Sequence, residues 1–123
     1  MGNPFVHVEL TTDNVGQAKE FYGQLFAWKL EDTPPMGEMS MPYTFIKVGE
    51  GTGGGMLKKP MPETPNMWLP YVQVDSVDST VKKARQLGAK VVVEKTAIPN
   101  MGSFAIFLDP AGAAIGVWEN AAK

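Results

Sequence analysis

The sequence predicts an α+β domain: two tandem βαβββ units whose strands form one curved, cleft-enclosing sheet. Three observations carry that expectation. Both halves run through the same order of patterns, an alternating strand, a capped amphipathic helix and three further strand-like runs. The halves match at a fixed offset of 62 residues, which pairs Asp13 with Asp75, Val15 with Val77, Leu25 with Leu87, Ala27 with Ala89, Phe45 with Phe107 and Gly54 with Gly116. The stretch from Ser103 to Glu119 reads as strand, tight turn, strand, with Asp109-Pro110-Ala111-Gly112 as the turn.

In chain order, Phe5-Val6-His7-Val8-Glu9-Leu10 alternates strictly, with Val6, Val8 and Leu10 on one face and Phe5, His7 and Glu9 on the other. Thr11 to Asn14 is rich in N-cap residues, and Val15, Ala18, Phe21 or Tyr22, and Leu25 then recur at helical spacing. Ala27 to Leu30 reads as a short strand. Residues 33–42 hold three prolines and no period, and read as a loop whose Met36, Met39 and Met41 suit an adaptable lid. Tyr43 to Val48 is the next strand. The glycine run before Met56-Leu57 lacks the Gly-Lys-Ser/Thr of a phosphate loop.

Residues 59–66 read as a linker between units of roughly 4–58 and 67–120, within one domain of 1–123. Trp68 to Val74 alternates again, and Pro70 argues for an edge strand or the start of pairing. Asp75-Ser76 caps a helix bearing Val77, Val81, Ala84 and Leu87, closed by Gly88. Val91 to Val93 is a β-branched strand leading into the final hairpin.

Composition narrows the function. The chain has 123 residues, 44% of them apolar and 20% charged, a net charge of −2 and no cysteine. Nucleic-acid binding, disulfides, thiolate metal sites and cysteine catalysis are thereby disfavoured or excluded. No run is long enough for a membrane span, and the N-terminus lacks a signal or myristoylation pattern, so a cytoplasmic protein is expected.

Four motifs resemble the vicinal oxygen chelate superfamily of glyoxalase I, bleomycin-resistance proteins and extradiol dioxygenases. They are Phe21-Tyr22-Gly23-Gln24-Leu25-Phe26, Val72-x-Val74-Asp75-x-Val77-Asp78, Leu87-Gly88-Ala89, and Phe104-x-x-Phe107-x-Asp109-Pro110-x-Gly112. The resemblance implies the fold, a homodimer and, in the metalloenzymes, one divalent ion held by His and Glu from the first and last strands of each unit. Carried over with the 62-residue offset, those four positions read His7, Gly54, Leu69 and Gly116. One imidazole is short of the roughly three protein ligands a catalytic ion needs, so neither metal nor cofactor is expected. Glu9, on the His7 face, remains open as a ligand; Glu119 falls on the face opposite Gly116.

Alternation predicts what lines the cleft instead. The candidates for ligand binding are His7, Glu9, Met56, Tyr71, Gln73 and Trp118, with Met56 placed as the equivalent of Trp118; the pattern leaves the facing of Tyr43, Phe45 and Phe107 open. Each has a structural alternative, as a hydrogen-bonded or packed core residue. Three functions follow. The leading one is a metal-free protein that binds a small apolar or aromatic molecule. The second is a superfamily lyase, isomerase or dioxygenase with a rearranged site using His7 and Glu9. The third is a dimerising or regulatory module without ligand.

Overall fold

A computed structural model describes residues 2–33, 42–59 and 61–121. The Met36, Met39 and Met41 loop lies outside them. The elements are β1 (Phe5–Thr12), α1 (Val15–Leu25), β2 (Lys29–Thr33), β3 (Tyr43–Lys47), β4 (Gly54–Lys58), β5 (Met67–Gln73), α2 (Val77–Gln86), β6 (Lys90–Ile98), β7 (Gly102–Leu108) and β8 (Ala114–Asn120). The βαβββ order therefore occurs twice, as the repeat predicts. No described helix is long and apolar enough to cross a membrane.

Local chemistry sets the element ends. The Asn14 side chain accepts from the Gln17 N–H at the start of α1, and Ser76 accepts from Ser79 N–H at the start of α2. These caps are themselves 62 residues apart. Gly88, at φ +99°, takes the left-handed conformation that closes α2. In the final hairpin Asp109 Oδ1 accepts from the N–H groups of Ala111 and Ala113, and Gly112 sits at φ +98°. Those backbone donors hold the Asp109 carboxyl below the usual range.

The strands form one eight-stranded sheet in the order β2-β3-β4-β1-β5-β8-β7-β6. Within each unit the first and last strands run parallel, β1 with β4 and β5 with β8. The units join where β1 meets β5 antiparallel, so both halves pair within one chain. Both helices cover the same side. Under α1 lie Leu10, Ile46 and Met56, with Val15, Ala18, Tyr22, Trp28 and Trp68 against them. Val77 and Val81 of α2 pack with Ala105 and Val117 of the sheet, joined by Val74, Val91 and Phe107. Glu119 also belongs to this side, where its carboxylate accepts from Val77 N–H at 2.7 Å and caps α2.

Two expectations are corrected. Pro70 lies in β5, between β1 and β8, not on an edge. Val8 donates its N–H to Gly53, so the Val8–Pro70 pair is a non-hydrogen-bonded one. The missing N–H of Pro70 points toward β8, whose ladder with β5 begins only at Tyr71 and Gly116. Proline thus costs this central strand no ladder bond.

The second correction concerns register. Val8 pairs with Gly54 and Glu9 with Gly55, whereas Tyr71, the 62-residue counterpart of Glu9, pairs with Gly116. The offset is therefore 61 in the last strand of each unit. Gly55, not Gly54, corresponds to Gly116, and Met56 corresponds to Val117. A one-residue slip exchanges the two faces of a strand. Met56 is fully buried in the core under α1 and is not on the His7 side.

Candidate functional site

Pairing places His7 and Glu9 of β1, Tyr71 and Gln73 of β5, and Gly116 and Trp118 of β8 on the helix-free face. Five of the six expected lining residues share it. Met56 is the exception, because of the register slip. Tyr43 of β3 and Phe104 of β7 join the set. Phe104 stands directly across from Trp118 and meets the Tyr71 ring edge-on, with centroids 6.2 Å apart. The hairpin turn alone fixes the Phe104–Trp118 pairing, so that signal was present in the sequence. Tyr43 follows the proline-rich stretch, which offers nothing to anchor its facing.

The polar centre is a hydrogen-bonded chain. His7 Nε2 lies 2.7 Å from the Tyr43 hydroxyl, which lies 2.8 Å from Glu9 Oε2. The Tyr71 hydroxyl lies 3.0 Å from Glu9 Oε1. His7 stacks over Tyr43 with centroids 6.3 Å apart and meets Tyr71 edge-on at 5.8 Å. Trp118 sits beside this group, its indole N–H satisfied by Asn120 Oδ1 at 2.8 Å.

Burial sets the protonation of these groups. Loss of water pushes the Glu9 carboxyl up, and the two phenol donors pull it partly back. It lowers the His7 imidazole, so His7 is neutral at pH 7. It also raises both phenols, helped by the charge of Glu9. Tyr43 and Tyr71 therefore keep their protons and donate them to the two oxygens of Glu9. Tyr43 has one hydrogen to give, so its oxygen accepts from His7, which places the imidazole proton on Nε2.

Two glycines make room for the phenols. A Cβ on Gly55 would fall inside the Tyr43 ring and hydroxyl, and one on Gly116 would come to 2.5 Å from Tyr71 Cε2. Both residues are in the last strand of their unit, so the two tyrosines fill the space above equivalent positions. Among the described residues, no three His, Asp or Glu side chains come together as metal ligands. Two surface hollows lie elsewhere, one between α2 and β6 and one along α1.

A curved eight-stranded sheet from two βαβββ units, with polar residues of the first strands facing away from the helices, defines a glyoxalase-type protein. Residues 5–117 match the Glyoxalase/Bleomycin resistance protein/Dioxygenase superfamily, and the chain belongs to it. A Mycobacterium bovis protein named "Putative glyoxylase CFP32" is 35% identical over 113 residues, which are 92% of this chain and 42% of that protein. The chain thus spans less than half the length of that relative. "Anthracycline biosynthesis protein DnrV" of Streptomyces peucetius is 35% identical over 55 residues, 45% of this chain and 20% of its own length. Among solved structures, methylmalonyl-CoA epimerase from Mycobacterium tuberculosis superposes with a TM-score of 0.69 at 15% identity, covering 96% of this chain and 88% of that one. That likeness is one of fold.

Proposed function

We propose that the helix-free face binds a small, partly aromatic or apolar molecule without a divalent metal. The observation that carries this is the placement of Tyr43 and Tyr71 over Gly55 and Gly116. The superfamily's metalloenzymes need donor side chains there. In this chain those positions offer no side-chain donor, and the phenols lie where a side chain at either position would begin. Leu69, the remaining expected position, is apolar and pairs with Glu9. Both oxygens of Glu9 already accept hydrogen bonds. Among the described residues His7 and Glu9 have no third His, Asp or Glu beside them, and two such ligands fall short of a catalytic set.

The aromatic residues Tyr71, Phe104 and Trp118 supply the apolar contact area such a ligand needs. The partial match to an anthracycline biosynthesis protein supports an aromatic body of that kind. The test is a thermal-shift screen with an aromatic fragment set and an anthracycline, beside elemental analysis of the purified protein. A binder at about 100 times its Kd adds about 2.7 kcal/mol of stability. Stoichiometric transition metal, or no shift from any compound, would overturn the proposal.

The glyoxylase relative and the hydrogen-bonded chain from His7 through Tyr43 to Glu9 favour a second reading, a superfamily enzyme that moves protons through these groups. Turnover in glyoxalase, epimerase or ring-cleavage assays, lost in H7Q and E9Q, would establish it. A homodimer is part of the proposal as well. Phe21, Leu25 and Phe26 leave apolar surface exposed on and just after α1, and light scattering reads the mass directly.

A further inference from the structure

Glu9 is a carboxylate among aromatic rings, and among the described residues no cation pairs with it. Its neighbours are Tyr43 and Tyr71, which donate through neutral hydroxyls, and His7, which bonds Tyr43 and not Glu9. The ion pairs of the described residues join Lys19 to Asp32, Lys29 and Lys47 to Glu31, Arg85 to Glu94 and Lys95 to Asp78; none includes Glu9. Lys47, on the same face at the end of β3, is engaged by Glu31 at 3.0 Å. An ionised carboxyl has about four acceptor sites, and the two phenols fill two of them. A desolvated charge of this kind is costly unless something of opposite sign meets it.

The surroundings suit an organic cation. Tyr71 and Phe104 meet edge-on, and Phe104 stands across from Trp118, so aromatic side chains run from Glu9 to β8. Aromatic faces attract an ammonium group through their quadrupole, Trp most strongly. Glu9 and His7 remain half-buried and are not sealed off.

We propose that the molecule received by this face carries one positive charge, a protonated amine on an aromatic body, and that Glu9 is the residue that meets it. This rests on the binding function proposed above. It adds the ligand's charge and the residue that selects for it.

Titration calorimetry on the full chain tests it with matched probes, tryptamine and phenethylamine against their N-acetyl derivatives. The amines are expected to bind about tenfold more tightly than the neutral partners, or better, as a charge-assisted contact requires. E9Q, shown to be folded by its unfolding transition, is expected to bring each pair to equal affinity. Equal affinity in the wild-type protein would overturn the charge assignment and leave the binding function standing. Tighter amine binding that survives in E9Q would overturn the role of Glu9. Binding by neither member of any pair would overturn the binding function and the charge assignment together.

Discussion

Gly116 and Tyr71 stand side by side on neighbouring parallel strands, and the Tyr71 ring occupies the space a side chain at 116 would need. Tyr71 is 5% exposed, so its ring has little room to withdraw. G116A is therefore expected to destabilise the fold by about 1–3 kcal/mol, the usual cost of overpacking a buried site. The same change in a Y71A background should cost less, with a coupling of about 0.5–3 kcal/mol in urea unfolding. Additive effects would mean that Tyr71 does not fill that space.

Tyr43 and Tyr71 both donate to Glu9, yet their loss should not be equal. Tyr43 also accepts from His7, so Y43F strands two partners where Y71F strands one. Each unsatisfied buried group costs about 1–3 kcal/mol. Y43F is thus expected to be the more destabilised variant by roughly that amount. Nitrogen NMR of the imidazole supplies a second readout: the Nε2–H signature of His7 should change in Y43F and persist in Y71F.

The two half-buried titratable groups of this cluster act on stability in opposite directions. The Glu9 carboxyl is raised from its ordinary 4.5, so the folded protein keeps a proton that the unfolded chain has lost, and stability falls as pH rises through that window. The His7 imidazole is lowered from its ordinary 6.5, so the unfolded chain holds the extra proton, and stability rises with pH up to about 6.5. Asp32 and Asp109 titrate in every variant, and their effects cancel in difference curves. The difference between wild type and E9Q should fall with rising pH above 4.5. The difference between wild type and H7Q should climb with pH and level off near 6.5. A flat difference curve in either case would show that burial does not shift that group.

The repeat, the caps and the last turn were legible because they depend on residues with local roles. Asn14 and Ser76 accept from their own helices, and Asp109 accepts from its own turn. The fourth strand was not legible because Gly51 to Gly55 contains four glycines, and a residue without a side chain carries no record of its face. The one-residue slip itself arises earlier, because α1 has 11 residues and α2 has 10, so that β3 already pairs Phe45 with Gly55 where β7 pairs Ile106 with Gly116. It moves the ligand-equivalent position from Gly54 to Gly55 and Met56 to the other face. Of the two readings of Pro70, the edge strand fails and the start of pairing holds, since the ladder to β8 begins at Tyr71. Whether a proline fits a central strand depends on where the neighbouring ladder starts, which is a property of β8 and not of β5.

Met56 and Trp118 were placed as equivalents by sequence, and the fold separates them. Met56 is fully buried between β1, β3 and α1, while Trp118 is half-buried on the helix-free face beside Gln73. M56A should leave a cavity and cost about 2–5 kcal/mol, while the affinity for any aromatic ligand of the other face stays within about twofold. W118A should do the reverse. It removes an aromatic contact of the kind that costs about 2 kcal/mol or more at a binding hot spot, and so weakens the ligand about thirtyfold. Urea unfolding and titration on the same two variants separate the roles. If M56A weakened binding as strongly as W118A while unfolding like wild type, Met56 would belong to the site after all, and the register of β4 against β1 would have to shift by one residue.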